Sequence, residues 1–145
     1  MQDSQFGLIS IIMAAYNAEQ TLGQAVTSVL NQTYPNFELL IIDDCSKDNT
    51  LAIAEKFREN DKRVRVIQNM QNSGVSYTRR HGLEEAKGEW IAILDSDDAW
   101  ASDKLEKQIK LQKETGGDLL YTGSAFMGSK GDPINWYLSA PPQIG

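Results

Sequence analysis

The sequence predicts an α/β fold built around a largely parallel β-sheet, on two observations. Short apolar runs with strand character alternate along the chain with segments whose apolar residues recur at helical spacing, which is the pattern of successive βαβ units. Several of the strand runs are continuously apolar rather than alternating, as is typical of strands covered on both faces. A length of 145 residues with 41% hydrophobic content fits one compact domain over residues 1–145.

The first part of the chain supplies two strands with a helix between them. Leu8 to Met13 is a continuous apolar stretch and predicts a central strand. Asn17 stands three residues before Gln20 and ahead of apolar residues at helical spacing, so we expect it to be the N-cap of a helix that stops before Pro35. Phe37 to Ile42 predicts the second strand.

The middle of the chain repeats this alternation. Val64 to Ile67 predicts a third, short strand. Gly74 opens a helix in which Val75, Leu83 and Ala86 are expected to face inward, and Gly88 is expected to be its C-terminal cap. The helix before it can be capped by Ser46, Asp48 or Asn49, and its apolar stripe is Leu51, Ala54 and Phe57.

The last part of the chain is predicted to add two strands and a helix. Trp90 to Leu94 predicts the fourth strand, and an amphipathic helix capped by Ser102 is expected to run through Glu114. Asp118 to Thr122 is expected to be a fifth strand. The Gly and Pro residues that follow it indicate irregular structure.

Charge and cysteine content narrow the class of partner and the compartment. The 14 basic and 20 acidic residues give a net charge of -6, which argues against nucleic acid, because such binding depends on clustered Lys and Arg. A phosphate ligand would then need a local positive charge, which a divalent cation can supply. The single cysteine, Cys45, and the lack of an apolar run near the roughly 20 residues that span a bilayer favour the cytoplasm.

Polar side chains that need an explanation fall where the predicted strands end. In an open parallel sheet, ligands bind beyond the carboxyl ends of the strands, so clusters that follow different strands should converge on one site. These clusters are Tyr16 and Asn17 after the first strand, Asp43 and Asp44 after the second, and Asp95, Ser96, Asp97 and Asp98 after the fourth.

Three carboxylates lie within the four residues from Asp95 to Asp98. Their mutual repulsion makes ionisation costly unless a cation is present, and a hard ion such as Mg²⁺ or Mn²⁺ commonly uses one or two protein carboxylates together with substrate phosphates. The run therefore predicts a divalent metal site. The alternative is a solvated turn in which Asp98 or Ser102 caps the next helix.

The other acidic and aromatic candidates each keep a structural alternative. Asp43 and Asp44 form either a simple turn or a pair in which one carboxylate accepts a hydrogen bond from a nucleobase. Tyr16 can stack on a base or pack against the protein.

Basic and nucleophilic residues add one candidate. Of Arg79 and Arg80, at most one is expected to face the site, because consecutive helical residues point in different directions. A site-facing arginine would bind phosphate or hold a carboxylate in place. His81 is interpreted as a surface or packing residue, and Cys45 as a small half-buried one.

Five segments carry recognisable motifs: Ser10 to Asn17 (SIIMAAYN), Ser28 to Tyr34 (SVLNQTY), Phe37 to Ser46 (FELLIIDDCS), Gly74 to Gly82 (GVSYTRRHG) and Gly88 to Trp100 (GEWIAILDSDDAW). In this order and spacing they resemble the family 2 glycosyltransferases, whose fold is called GT-A. The resemblance extends from Leu8 to about Gln112.

The resemblance implies a three-layer α/β/α, Rossmann-like fold and an inverting transfer of sugar from a nucleoside-diphosphate donor, UDP above all, to an acceptor hydroxyl. It implies Mn²⁺ or Mg²⁺ as cofactor and a carbohydrate or lipid-linked acceptor, through which the protein would associate peripherally with a membrane. The resemblance implies that Ala14 and Tyr16 lie along the nucleoside and that Asp44 is the uracil-reading carboxylate, with Asp43 beside it. It implies that Arg79 lies near the base and diphosphate. In the acidic run it implies that Asp95 lies near the ribose or sugar, with Ser96 in the same run, and that Asp97 is the direct metal ligand.

Three residues depart from the family pattern, and one expected group has no match. Ala14 stands where the family often has proline, Cys45 where glycine is common, and Arg80 where asparagine usually follows the arginine. No residue matches the family's catalytic base, an Asp or Glu that takes the proton of the acceptor hydroxyl. We therefore expect the chain to be a donor-binding half, truncated before an acceptor-binding half beyond Gly145.

Other classes of function fit these motifs less well. A receiver-like signalling domain would place its paired acids after the first strand, where Tyr16 and Asn17 stand. A nucleotidyltransferase would have a Gly-rich, basic phosphate loop at that point. A nucleotide-sugar-binding module without transfer activity is the alternative that stays open.

Overall fold

The structure, a computed structural model, describes residues 6–120 and two short strands at 125–127 and 133–138. Four strands form one parallel sheet with helices between them along the chain, so the predicted α/β class is confirmed. The strands are β1 (Ile9–Ala15), β2 (Phe37–Asp43), β3 (Val64–Gln68) and β4 (Trp90–Ile93), and the helices are α1 (Leu22–Leu30), α2 (Thr50–Asn60), α3 (Val75–Glu85) and α4 (Lys104–Thr115).

The order of the strands determines where the helices lie. The sheet order is β3-β2-β1-β4, so the chain steps from β1 to β2 to β3 and then crosses back to β4. Right-handed crossovers therefore put α1 and α2 on one face and α3 on the other. Ile12, Leu40 and Ile42 form a buried cluster, and Gly82 of α3 comes against Ile12 and Ile42. This is the three-layer arrangement that the sequence resemblance implies.

The two central strands carry the core of the sheet. All residues of β2 are buried, and so are all residues of β1 except Ala14. Each of these strands has a hydrogen-bonded neighbour on both sides and helices over both faces, which is why neither shows a solvent-facing alternation. The strands predicted at Leu8 to Met13 and Phe37 to Ile42 are confirmed to within two residues at each end.

A buried carboxylate joins three strands to the segment after α3. Glu38 accepts hydrogen bonds from Ser10 Oγ at 2.6 Å, from the Lys87 N–H at 2.7 Å and from Arg65 Nη1 at 3.0 Å. Burial by itself would raise the pKa of Glu38, but these hydrogen bonds and the charge of Arg65 outweigh it and hold the pKa below its ordinary value. The interior of the sheet therefore contains an ionised carboxylate, Glu38, whose oxygens are hydrogen-bonded within the fold.

Asn17 is not the N-cap of α1, contrary to the prediction. The helix begins at Leu22 with Thr21 in the cap position, and Thr21 makes no side-chain capping hydrogen bond. Asn17 has a φ of 48°, and its side-chain oxygen accepts a hydrogen bond from the Lys47 N–H at 2.9 Å. Asparagine occupies this left-handed region more readily than most residues, so the same residue type serves a turn as well as a cap.

The inward face of α3 also differs from the prediction. Val75 and Leu83 are exposed and Ala86 follows the last helical residue, whereas Thr78 and Gly82 are buried. The helix lies so close to the sheet that a Cβ atom on Gly82 would stand 2.7 Å from Ile12 Cγ2. A search for apolar residues at helical spacing does not detect a packing face made of small and polar residues.

Gly88 does not cap α3 as predicted. The helix ends at Glu85, and Ala86 occupies the cap position in an extended conformation. Gly88 lies against β1, where a Cβ atom would stand 2.6 Å from the Leu8 carbonyl oxygen. Its lack of a side chain therefore serves close packing rather than helix termination.

The starts of two other helices refine the cap predictions. Among the polar residues before α2, Asn49 occupies the N-cap position but makes no side-chain capping hydrogen bond, and the Thr50 N–H donates instead to Asp48 Oδ1 at 2.9 Å. The last helix, α4, begins at Lys104, two residues after the predicted cap Ser102.

The chain divides into two compact units, Met1–Lys107 and Gln108–Gly145. The parallel sheet belongs to the first unit. Among the described residues, none of the helices combines the length and the apolar character needed to cross a membrane.

Secondary structure in the second unit departs from the prediction. Asp118 to Leu120 are not in a strand, so this part of the predicted fifth strand is wrong, and Tyr121 and Thr122 lie outside the described residues. Two strands, β5 (Ala125–Met127) and β6 (Pro133–Leu138), pair antiparallel where irregular structure was expected. The segment PINWYL is rich in residues that favour strands, a signal that weighs against the Gly and Pro nearby.

Candidate functional site

An open cleft lies beyond the carboxyl ends of β1 and β4, within the first compact unit. The connection leaving β1 and the one entering β4 run on opposite faces of the sheet, which is the position where open α/β sheets bind ligands. The cleft has a volume of about 400 Å³. Six of the eight predicted substrate and metal residues line it: Ala14, Tyr16, Arg79, Asp95, Ser96 and Asp97.

A tight turn after β4 gathers three carboxylates. The Leu94 N–H donates to a β1 carbonyl oxygen at 3.1 Å, which extends the sheet to the residue before Asp95. The Asp98 N–H donates to the Asp95 carbonyl oxygen at 3.1 Å and closes the turn. One oxygen from each of Asp95, Asp97 and Asp98 then lies within 4.8 Å of the others. Asp98 does not cap α4, since that helix begins only at Lys104.

The chemistry of this turn suits a divalent cation. Burial raises the pKa of Asp98, and the negative charges of Asp97 and Asp95 raise it further. Repulsion among the three groups is therefore appreciable, and a cation among them would relieve it. Carboxylate oxygens are the hard donors that Mg²⁺ and Mn²⁺ prefer, and a separation of this size can accommodate one ion with small side-chain adjustments.

Arg79 connects α3 to the acidic turn. Its Nη2 lies 2.6 Å from Asp95 Oδ1, and its buried Nε has no hydrogen-bond partner among the described residues. Arg80 points elsewhere and pairs with Glu84 at the surface, at 3.1 Å. Helix geometry thus brings one of the two arginines to the cleft and leaves the other in solvent, as the sequence predicts.

Asp44 is buried and does not line the cleft. Its carboxylate accepts hydrogen bonds from Asn69 Nδ2 at 2.9 Å, from the Ser73 N–H at 2.8 Å and from the Gly74 N–H at 2.9 Å. Burial would raise the pKa of Asp44, but these hydrogen bonds, with one from Thr78, hold it below its ordinary value. An ionised Asp44 therefore organises the loop that leads into α3 and hence to Arg79.

Asp43 is fully buried and also lies outside the cleft lining. Its Oδ2 accepts the Ser46 N–H at 3.2 Å, and its Oδ1 has no hydrogen-bond partner among the described residues. The next residue but one, Cys45, has a φ of 60°. The structure therefore places Asp43 under the turn that follows β2.

Some residues at the cleft were not assigned a role in ligand or metal binding from the sequence. The cleft is also lined by Asn17, Ala18 and Thr21 from the β1–α1 loop and by Val75 at the start of α3. Asn69 is a buried polar residue that bonds Asp44 and Thr78, and its side-chain oxygen contacts His81 Nδ1 at 2.7 Å. Asn17, Ala18 and Asn69 closely follow predicted strand ends, and that position was the available signal for these three. 

His81 agrees with its interpretation as a packing residue. It is half-buried, contacts Asn69, and has Tyr77 beside it with ring centroids 6.2 Å apart. It does not line the cleft.

Comparison with known proteins identifies a family match and close relatives. The model of the family described as glycosyl transferase family 2 matches residues 10–142. TuaG of Bacillus subtilis, a glycosyltransferase provisionally assigned to teichuronic acid biosynthesis, is 39% identical over 94% of this chain and 54% of its own length. The Escherichia coli UDP-Glc:alpha-D-GlcNAc-diphosphoundecaprenol beta-1,3-glucosyltransferase WfgD is 43% identical over 79% of this chain and 44% of its own. The chain thus spans about half the length of these relatives.

Solved structures give the same picture of the fold. S. aureus TarS in complex with UDP-GlcNAc superposes with a TM-score of 0.72 and 34% sequence identity. The match covers 76% of this chain and 32% of the TarS chain.

Proposed function

Because the chain belongs to glycosyl transferase family 2, we propose that it binds the donor of an inverting glycosyltransferase that moves a sugar from UDP to an acceptor hydroxyl. The cleft carries this proposal. It has Ala14 and Tyr16 at one strand end, Asp95 and Asp97 at another, and Arg79 beside the acidic turn. A nucleoside diphosphate offers a matching series of groups, a flat base followed by a pentose and two phosphates. The cleft volume also lies within the usual range for ligand sites.

Uridine as the base and a lipid-linked acceptor are supported by the similar proteins. The name of WfgD gives UDP-Glc as the donor and a diphosphoundecaprenol-linked sugar as the acceptor. TarS was crystallised with UDP-GlcNAc. TuaG belongs provisionally to teichuronic acid biosynthesis. We therefore propose a role in polysaccharide or glycolipid assembly, with a carbohydrate or lipid-linked acceptor met at the cytoplasmic surface of a membrane.

At the nucleoside end, Tyr16 is the proposed stacking residue. It is 45% exposed, so a face of its ring is available to a base. Asp44 stays the proposed uracil-reading carboxylate. It already accepts hydrogen bonds from Asn69, Ser73 and Gly74, with a further one from Thr78, and a carboxylate has about four lone-pair sites, so a base N–H would have to displace one of these contacts.

At the diphosphate end, Asp97 is the proposed direct ligand of Mn²⁺ or Mg²⁺, with Asp95 and Asp98 close enough to share the ion. When bound there, the cation would supply Lewis-acid stabilisation of the charge on the departing diphosphate. The Arg79 guanidinium holds Asp95 at the edge of the cleft. It would also add a positive charge to the cleft, beside that of the bound cation. In the proposed reaction the acceptor oxygen attacks the anomeric carbon as the bond to the diphosphate breaks, and the proton goes to a base for which we propose no residue of this chain.

Calorimetric titration tests the donor site directly. UDP is titrated into the wild-type chain with and without Mn²⁺, and into Asp97→Ala. Asp103→Ala is the matched control, because Asp103 is a carboxylate that pairs with Lys107 and does not line the cleft. We expect Mn²⁺ to strengthen UDP binding at least tenfold in wild type and in Asp103→Ala but not in Asp97→Ala. Binding that is independent of Mn²⁺ and unchanged in Asp97→Ala would contradict the proposed metal site.

The choice of base has a test of its own. Asp44→Asn exchanges one acceptor oxygen for a donor and should weaken UDP more than pyrophosphate, each measured with Mn²⁺. A control titration with ADP and GDP in the wild type measures the preference for uridine. Equal losses for UDP and pyrophosphate in Asp44→Asn would assign Asp44 to loop structure alone.

Transfer and binding are separated by a product assay. Release of UDP from UDP-sugar in the presence of a lipid-linked or oligosaccharide acceptor would support transfer by this chain. Binding of UDP without such release would favour the alternative, a nucleotide-sugar-binding module.

A further inference from the structure

The β1–α1 loop forms one wall of the cleft and meets the start of its own helix through the backbone, where the Thr21 and Leu22 N–H groups donate to the Ala18 carbonyl oxygen at 3.1 and 2.9 Å. Tyr16, Asn17 and Ala18 all line the cleft. The residue at the N-cap of α1, Thr21, makes no side-chain hydrogen bond to the helix. A loop of this kind would have several accessible conformations unless other contacts held it.

Five hydrogen bonds tie this loop to the β2–α2 loop, and they run in both directions. Three backbone N–H groups of residues 17–19 donate to side chains of residues 46–50, and two backbone N–H groups of residues 46–50 donate back. We call this set the inter-loop hydrogen bonds. They are Asn17 N to Ser46 Oγ (2.9 Å), Ala18 N to Thr50 Oγ1 (2.7 Å), Glu19 N to Asp48 Oδ2 (3.3 Å), Lys47 N to Asn17 Oδ1 (2.9 Å) and Asn49 N to Glu19 Oε2 (3.1 Å).

Asn17 takes part in two of these bonds and has the unusual backbone. Its φ of 48° lies in the left-handed region, which turns the chain sharply after β1. Its N–H belongs to the peptide unit that joins it to Tyr16, so the bond to Ser46 fixes the plane of that unit. Its side-chain oxygen accepts the Lys47 N–H, which ties Asn17 to the β2–α2 loop a second time.

We propose that Asn17 is a positioning residue of the donor site, which acts by holding Tyr16 in place for the nucleoside. The inference rests on the proposed function, because it assumes that Tyr16 meets the base. A residue that is already ordered loses less conformational freedom when ligand binds, so affinity is higher. The acidic turn after β4 does not take part in the inter-loop hydrogen bonds, so the effect should be confined to ligands that carry the nucleoside.

Three substitutions separate the two properties of Asn17. Asn17→Gly keeps the left-handed backbone but loses the side-chain acceptor, whereas Asn17→Asp keeps both. Asn17→Ala loses both. Ser46→Ala removes the partner of the Asn17 N–H from the other loop, at a position that does not line the cleft. If a substitution at Asn17 prevents folding, the Ser46→Ala variant still removes the hydrogen bond between the two loops.

The probes are UDP and pyrophosphate, each titrated with Mn²⁺ into the wild-type chain and the four variants. In Asn17→Gly we expect UDP to bind about tenfold more weakly and pyrophosphate to be unchanged, and in Ser46→Ala a loss of about threefold or more for UDP alone. Asn17→Asp should restore the ratio of the two affinities to within about twofold of wild type, whatever its added charge does to both. Asn17→Ala should be the weakest for UDP.

Each contrary result has a definite meaning. Equal losses for UDP and pyrophosphate in Asn17→Gly and Ser46→Ala would mean a purely structural role and would overturn the inference, as would no loss for either. Wild type that fails to bind UDP would defeat the proposed function and this inference together. If the wild type binds UDP with Mn²⁺ and the Ser46→Ala and Asn17→Gly variants bind it with the same affinity, the inference fails and the proposed function stands.

Discussion

Replacement of Gly82 by alanine should destabilise the chain, although alanine is the better helix former. A Cβ atom at this position would stand 2.7 Å from Ile12 Cγ2 and 2.8 Å from Ile42 Cδ1. Both isoleucines are fully buried, and Leu40 packs with them in the same cluster. β-Branched side chains in a filled core have few other rotamers, so the helix or the strands must move.

The expected magnitude follows from two opposing terms. Overpacking of a filled core costs about 1–3 kcal/mol, and the contact below 3.0 Å with Ile12 Cγ2, which can move only if χ1 changes, indicates the upper part of that range. Exchange of glycine for alanine inside a helix returns about 0.5–1 kcal/mol. The net loss in the free energy of unfolding for Gly82→Ala should therefore be about 1–2 kcal/mol. Arg79 lies one turn earlier on α3 and contacts Asp95, so a shift of this helix should also weaken UDP binding.

Urea unfolding followed by circular dichroism measures this loss, with Gly23→Ala as the matched control. Gly23 lies in α1, and a Cβ atom there would meet no atom within 4 Å, so only the helix-propensity gain applies. Gly23→Ala should therefore be more stable than wild type by up to about 1 kcal/mol. If Gly82→Ala is as stable as Gly23→Ala, the close packing of α3 on β1 and β2 is not a constraint, and the reasoning fails.

Three further predictions use the same assays. Cys45→Gly should raise the free energy of unfolding by about 0.5–1 kcal/mol, because Cys45 has a φ of 60° that glycine adopts without strain, while Cys45→Val should lower it. The folded-state pKa of Glu38 lies below its ordinary value of 4.5, so the stability it contributes is complete above about pH 4.5 and is lost as the pH falls through the folded pKa. The difference in unfolding free energy between wild type and Glu38→Gln, on the order of 1–3 kcal/mol at pH 7, should therefore shrink at low pH, and a constant difference would contradict the ionised state. Removal of Mn²⁺ with a chelator should return the UDP affinity of wild type to that of Asp97→Ala, and unequal values would point to a metal ligand other than Asp97.

Much of the parallel sheet could be predicted because its strands are defined by their own composition. The strand ends are where these polar residues lie, and parallel strands bring those ends together, so the convergence of Tyr16 and Asp95 on one cleft followed from order along the chain. Asp95, Asp97 and Asp98 could be recognised as a cluster because they lie within four residues of the sequence.

The errors at Asn17 and in α3 have a common physical cause, which is a partner distant in sequence. Asn17 has the residue type and spacing of a helix cap, but its side chain bonds the backbone of Lys47. Gly82 carries no apolar signal, yet it lies on the buried face of α3 because Ile12 and Ile42 stand close beneath it. Periodicity compares neighbours along one element and cannot register how closely another element approaches.

The two ends of the proposed donor site are therefore built in different ways, and they should respond differently to mutation. The carboxylates of Asp95 and Asp97 are brought together by a turn of a few residues, so a substitution there changes the chemistry and leaves the rest of the sheet in place. Tyr16 at the nucleoside end depends on hydrogen bonds between loops about thirty residues apart in sequence, such as the bond from Asn17 to Ser46. Substitutions at many positions of those loops can then alter base recognition without touching the ligand. Preference among nucleotides should accordingly be easier to change than metal-dependent binding of the diphosphate, because more of the fold contributes to it.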